Sequence, residues 1–166
     1  MKRIASALLA LLAGIIAVLL AVRLTAAAPA NEDVAERFRV KKADYEQLRD
    51  MLVEDKGLRQ IARWGVRTVT SPKVQVPPIA ELALDRYQKY MALLSEIEAT
   101  GITRSDGASP NICILVWASG WAADTNHVSV CWLGTNAPAS GSAVRFIFFS
   151  LGDRWYVQRD MQGRAE

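Results

Sequence analysis

Apolar residues recur at helical spacing along the first part of the chain beyond residue 30. From Asn31 onward they follow a 3.6-residue period, with a change of phase between Val40 and Lys42. Asn31 is suited to the N-cap position, and Gly57 is a natural terminator. A second apolar stripe predicts a helix over 79–99. The pattern therefore predicts two main helices in the first two thirds of the chain.

The last third of the chain changes to a pattern typical of β-strands. Segments rich in β-branched and aromatic residues alternate with turn signals, at 112–118, 127–133, 143–151 and 154–157. Gly152 and Asp153 are predicted to be the central residues of the final hairpin.

These elements together define a fold class. The segment 58–70 is ambiguous, although Val66 to Thr70 favours an extended conformation. We expect an α+β fold, in which the two main helices pack on a four-stranded antiparallel meander that can curl.

The longest uninterrupted apolar pattern lies at the amino end. Ile4 to Val22 forms a run of 19 residues without a charged side chain, which is long enough to span a bilayer as a helix. We therefore expect residues 1–24 to be a transmembrane anchor or signal segment, 25–30 to be a tether, and 31–166 to be a single α+β domain.

Two interpretations of the amino-terminal segment remain open. An uncleaved anchor would place the protein in a bacterial inner membrane as a single-pass protein, with the carboxyl-terminal domain in the periplasm. Alternatively, Ala28 and Ala30 fit the small-residue positions of a signal cleavage site, and the protein would then be secreted.

Charge excludes one class of partner. The chain has 20 Lys plus Arg and 17 Asp plus Glu, but Lys2, Arg3 and Arg23 flank the apolar run, so residues 31–166 have no net charge. A nucleic-acid-binding domain would need an excess of clustered basic residues. The one local cluster, at 37–42, favours a solvated helix face, with contact to anionic lipid headgroups as the alternative.

The two cysteines predict a strand register. If residues 121–123 form a three-residue hairpin loop, Cys113 lies opposite Cys131, and Val116 lies opposite Val128. Directly opposed strand residues can be bridged by a disulfide, and an exported domain meets an oxidising compartment. We therefore predict a Cys113–Cys131 disulfide.

The same register leaves a second apolar face on the predicted sheet. A covering element, a curled sheet around its own pocket, or a partner could each account for that face. Trp121 would stand at a hairpin tip, either exposed as a binding residue or folded back over the core. The candidate binding surface comprises Leu115, Trp117, Trp121, His127, Phe149 and Tyr156.

No recognisable catalytic, metal-binding or cofactor-binding set is found. His127 is the only histidine, and Ser129, two residues along the same strand, would lie ~6–7 Å away. One histidine and two well-separated cysteines do not make a zinc site, and no glycine-rich phosphate loop is present. We therefore expect no enzyme, no metal and no cofactor.

Short motifs carry two resemblances. The segment 48–55 (LRDMLVED), the segment 86–90 (RYQKY) and the closing Trp155-Tyr156 pair resemble small uncharacterised bacterial envelope proteins, some of which are immunity-type partners of secreted toxins. The order of helices before a meander that ends in Gly152-Asp153-Arg154-Trp155-Tyr156-Val157 is similar to the NTF2-like fold, which implies a cone-shaped sheet around a pocket.

Two functions follow as hypotheses. The first is a membrane-anchored envelope protein that contacts the lipid bilayer through residues 4–22 and binds a protein partner, as an inhibitor, immunity or accessory module. The second is a protein that binds a small ligand in a pocket on the second face of the sheet.

Overall fold

In the computed structural model, helices lie on one face of an antiparallel sheet. The structure describes residues 27–105, 110–119, 126–134 and 146–160, together with Gly14. The helices are α1 (Asn31–Val40), α2 (Lys42–Glu54) and α3 (Leu84–Glu96). The strands are β1 (Leu58–Ala62), β2 (Gly65–Thr68), β3 (Gly101–Arg104), β4 (Ile112–Ser119), β5 (Asn126–Trp132), β6 (Phe146–Gly152) and β7 (Trp155–Asp160).

The sheet is open and has a linear strand order. Within the described residues its seven strands follow the order β2-β1-β3-β4-β5-β7-β6, and every neighbouring pair is antiparallel. The chain makes a hairpin of β1 and β2, crosses over through α3, and returns as β3 on the other side of β1. The outer strands of the described sheet are therefore β2 and β6.

The predicted four-stranded meander is wrong. The described sheet has seven strands, because β1, β2 and β3 extend it beyond the four carboxyl-terminal strands. These three strands have only four or five residues each, so they show too few alternating positions to be recognised as strands from the sequence. The ambiguous segment 58–70 contains the β1–β2 hairpin.

The helices also differ from those predicted. The first predicted helix is divided at Lys41 into α1 and α2, at the position where the apolar pattern changes phase. The second begins at Leu84, because Ile79 and Leu82 exchange two backbone hydrogen bonds of 3.1 Å in a short turn before it.

The predicted transmembrane helix finds no support in the structure. Apart from Gly14, its residues, 4–22, lie outside the described part of the chain. None of the helices in the described part combines the length and the apolar character that a membrane crossing requires.

Aromatic packing holds α1 and α2 against the sheet. The rings of Phe38, Tyr45 and Trp155 are fully or almost fully buried, and their centroids lie 5.3–6.2 Å apart. Contacts at this spacing stabilise a core beyond the burial of apolar area. Burial also raises the pKa of the Tyr45 phenol to about 12. The Tyr45 hydroxyl is buried without a hydrogen-bond partner in the described structure.

A carboxylate holds the end of α2 to α3. Tyr90 donates a hydrogen bond of 2.8 Å from its hydroxyl to Asp55 Oδ2, and Arg86 Nε donates another of 3.0 Å to the same oxygen. Arg86 also reaches Glu54 at 2.9 Å. Burial, followed by the neighbouring Asp55 carboxylate, raises the pKa of the Tyr90 phenol.

The two buried tyrosines should respond in opposite ways to the same substitution. Tyr90→Phe removes a hydrogen bond to a carboxylate, so we expect the free energy of unfolding to fall by about 1.5–3 kcal/mol. Tyr45→Phe removes a buried hydroxyl that has no partner, so we expect no loss or a small gain. Urea denaturation of both variants measures the difference. Equal destabilisation by the two substitutions would contradict this assignment.

Candidate functional site

The sheet face opposite the helices, here called the outer face, carries the candidate site. Strand pairing brings its side chains into rows across the sheet. One row contains Thr103, Cys113, Cys131, Tyr156 and Ser150. The next contains Leu115, Ser129, Gln158 and Phe148, and the third contains Ala118, His127, Asp160 and Phe146.

The structure pairs Cys113 directly with Cys131, as the sequence register predicts, and joins their sulfurs in a disulfide. The predicted pairing of Val116 with Val128 is wrong, because a β-bulge between Leu115 and Trp117 brings Trp117 opposite Val128. A bulge inserts one extra residue, which reverses the facing of every later residue in the strand.

The bulge changes which residues reach the outer face. Trp117 packs against the core, and Ala118 lies opposite His127 on the outer face instead. Trp117 therefore does not share a face with His127, although strict alternation from Leu115 predicts that it should.

The final hairpin shows a similar one-residue change. Asp153 and Arg154 are its central residues, with φ of 48° and 65°, as in the turns that favour tight hairpins. The prediction that Gly152 is a central residue of this turn is wrong, because Gly152 pairs with Trp155. Phe149 consequently lies opposite Val157, on the helix side of the sheet.

The predicted binding surface is therefore divided. Leu115, His127 and Tyr156 lie on the outer face, whereas Trp117 and Phe149 lie on the other side. Trp121 lies outside the described residues.

The outer face contains a depression of about 450 Å³, which we call the outer-face pocket. Its apolar wall is formed by Leu115, Ala118 and Phe146. The remaining lining residues are Thr103, Cys113, His127, Ser129 and Gln158. Small-molecule sites commonly have this size and this mixture of an apolar wall with a few polar groups.

The side-chain amide of Gln158 lies against the disulfide. Gln158 Oε1 lies 3.0 Å from Cys131 Sγ and 3.5 Å from Cys113 Sγ. Because disulfide sulfurs carry no proton, these contacts are not hydrogen bonds. With its oxygen against the sulfurs, Gln158 keeps its amide nitrogen as a donor for another group.

His127 lies next to a buried carboxylate. Its Nδ1 is 3.4 Å from Asp160 Oδ2, and the Asp160 side chain is 0% exposed. A carboxylate at this position favours a proton on Nδ1, which leaves Nε2 as the nitrogen that can meet a ligand. The Phe146 ring lies 5.8 Å from the imidazole and limits its movement.

Sequence reasoning missed Asp160, Gln158, Ala118 and Phe146. Asp160 and Gln158 are distant from His127 along the chain, and only the pairing of β5 with β7 brings them together. No local motif in the sequence marks such a contact. The available signal was the alternation in 155–160, which puts Tyr156, Gln158 and Asp160 on one face.

The spacing of His127 and Ser129 does not suit a nucleophile and its base. His127 and Ser129 occupy alternate positions of β5, so they are ~6–7 Å apart along the strand, too far for direct proton transfer. Among the described residues, no three His, Cys, Asp or Glu side chains are placed to hold a metal ion.

A second depression, of about 370 Å³, lies between α1 and α3 and is a weaker candidate. Its charged groups already satisfy one another: Arg37 contacts Glu98 at 3.1 Å, and Lys41 contacts Glu96 at 3.1 Å. A ligand there would have to displace these ion pairs. The basic cluster at 37–42 is thus part of a paired helix surface.

Comparison of the chain with known protein families, with characterised proteins and with solved structures finds no match. The resemblances to envelope proteins and to the NTF2-like fold stay predictions. The disulfide is compatible with a secreted or periplasmic protein.

The disulfide should be detectable and stabilising. In protein taken from its native compartment, non-reducing peptide mass spectrometry should find Cys113 linked to Cys131. The Cys113→Ala/Cys131→Ala variant should lose about 3 kcal/mol of unfolding free energy, because the bond closes a short loop in the unfolded chain. Two free thiols in the native protein would refute the assignment.

Proposed function

We propose that this chain is an exported protein that binds a small amphipathic molecule in the outer-face pocket. The observation that supports it best is the convergence of His127, Ser129 and Gln158 beside the apolar wall of that pocket. His127 and Ser129 come from β5 and Gln158 comes from the neighbouring β7. The disulfide fixes the register of β5 against β4.

The polar groups define the chemistry of the ligand. Gln158 offers an amide donor, Ser129 can donate or accept, and His127 Nε2 accepts when the imidazole is neutral. A ligand with one group that both donates and accepts hydrogen bonds fits this set, such as a hydroxyl, carboxamide or protonated carboxyl group. Its apolar body would lie against Leu115 and Phe146.

Export accounts for the remaining features of the chain. The apolar run at 4–22 would bring the protein to a bacterial membrane or across it, into an oxidising compartment. A stable Cys113–Cys131 bond belongs in such a compartment. The net charge of zero over residues 31–166 favours a function without nucleic acid.

Filling the pocket tests the proposal. We expect benzyl alcohol, benzamide or phenylacetic acid to bind the wild-type protein and to shift NMR resonances of residues that line the outer-face pocket. Ala118→Phe places a ring inside the pocket and should reduce this binding at least about tenfold, because the apolar wall is occupied. Ligand titrations followed by NMR measure the affinities.

The control for this experiment is Ala92→Phe, which adds the same ring at an exposed position of α3. It should bind the three probes like the wild type. The absence of probe binding to the wild type, or equal loss in both variants, would reject the pocket as the functional site.

A second candidate function, the binding of a protein partner, is favoured by the edge strand β6. Within the described residues β6 pairs with β7 alone, and its side chains Ile147 and Phe149 are 37% and 39% exposed. An apolar edge strand can accept a strand from another protein through backbone hydrogen bonds. An inhibitor or immunity partner could use this edge.

Site-specific photo-cross-linking tests the edge. With p-benzoylphenylalanine in place of Ile147, we expect one defined adduct in the native envelope, identified by mass spectrometry and reproduced with the purified partner. The control position is Val53, which is 42% exposed on α2. No adduct at 147, or the same adduct at both positions, would exclude this edge as a specific binding site.

A further inference from the structure

The β2 end of the sheet has an unusual distribution of charge. Between residues 56 and 80 the sequence contains five basic residues and no acidic residue, although residues 31–166 as a whole have no net charge. The β1–β2 hairpin and the segment that follows it therefore carry a local excess of five positive charges.

Several of these cations have no side-chain partner in the part of the chain that the structure describes. Arg63, Arg67 and Lys73 make no ion pair and no side-chain hydrogen bond within the described residues. Most basic residues of the described helices are paired: Lys42 contacts Asp153 at 2.8 Å and Arg86 contacts Asp55 at 3.0 Å, whereas Lys89 has no ion pair among the described residues. Arg63, Arg67 and Lys73 differ from the helix cations because they lie within one segment that contains no acidic residue.

Large apolar side chains are exposed at the same place. Trp64, in the turn between β1 and β2, is 54% exposed, and Val74 and Val76 are 43% and 79% exposed. Neighbouring Val69 is also exposed. Exposed apolar side chains that cluster in this way mark a surface that contacts a membrane or another protein.

Backbone pairing brings these residues into one surface. Val66 and Gln75 exchange backbone hydrogen bonds of 2.9 and 2.8 Å, so the segment 74–76 runs along the outer edge of β2. Only glycine fits at position 65 when segment 74–76 lies this close to β2. A Cβ there would lie 2.6 Å from the Gln75 carbonyl oxygen and 2.6 Å from Val74 Cγ1, which is too close. Alternation around Gln75 directs Val74 and Val76 to the side that carries Arg67.

We propose that this surface docks on the anionic headgroups of a lipid bilayer. We call it the basic patch and define it by Arg63, Trp64, Arg67, Lys73, Val74 and Val76. Cations attract an anionic lipid surface, and tryptophan favours the boundary between headgroups and acyl chains. The two valines would enter the same boundary, where acyl chains supply an apolar phase directly beside the anionic headgroups.

Vesicle binding of the full-length protein tests the proposal. The probes are vesicles of phosphatidylcholine alone and vesicles with 30% phosphatidylglycerol. Arg63→Gln/Arg67→Gln/Lys73→Gln should lower the partition coefficient on the anionic vesicles about 100-fold, since each cation near such a surface contributes about fivefold. Binding to neutral vesicles should change little. The apolar run at 4–22 is common to all variants and cancels in this comparison.

The matched control removes the same charge elsewhere. Arg39→Gln/Lys41→Gln/Lys89→Gln changes three basic residues of the helices and should retain most of the preference for anionic vesicles. Near-ultraviolet circular dichroism verifies the fold of both triple variants. If the control loses as much binding as the patch variant, the attraction is due to net charge and the basic patch is not a docking site.

Trp64 supplies a readout of the contact itself. In the wild-type protein, brominated phosphatidylcholine mixed into the anionic vesicles should quench the fluorescence of Trp64. The Trp64→Phe variant lacks this fluorophore, so its remaining fluorescence should be quenched less. Quenching that is equal in both proteins would overturn the proposal. A second result would also overturn it: the three cations are needed for binding to poly-L-glutamate but not for binding to vesicles. The basic patch would then bind an acidic protein.

Discussion

The register of β4 against β5 is the constraint on which the rest of the molecule depends. Both strands lie near the centre of the sheet, and each side chain that they carry belongs to one face only. The Cys113–Cys131 bond fixes the register at one end of the pair. At the other end the bulge at Val116 shifts it by one residue, which sends Trp117 to the core and brings Ala118 beside His127. The core and the outer-face pocket are therefore both defined by the same few strand positions.

The unequal covering of the two faces follows from this arrangement. Helices α1, α2 and α3 supply the apolar side chains that bury one face of the sheet, and the aromatic cluster around Trp155 joins the helices to the strands. The opposite face keeps polar side chains within reach of a ligand, among them His127 and Gln158. The ends of the described sheet differ as well, because cations cluster around β2, whereas β6 carries exposed Ile147 and Phe149. One sheet thus presents three chemically distinct surfaces in addition to its core.

The sequence contained enough information for some of this structure and not for the rest. Cys113 opposite Cys131 could be predicted, because the long strands around them alternate clearly and the disulfide requires direct opposition. The bulge could not, since an extra residue in a strand leaves no mark on an apolar pattern in which 112–117 are all apolar or cysteine. The short strands β1 to β3 were missed because their pairing energy comes from distant partners and not from local preference. Asp160 reaches His127 only through that long-range pairing.

Strand alternation in β5 and β7 also separates two kinds of evolutionary pressure. Val128, Val130 and Val157 face the helices and must keep the packing of the core, whereas the residues between them face outward. Substitutions at the outward positions change the lining of the outer-face pocket and leave the helix-facing core intact, so the two faces can diverge independently. Single strand substitutions can therefore reshape this face of the sheet without any change in the helices that hold it.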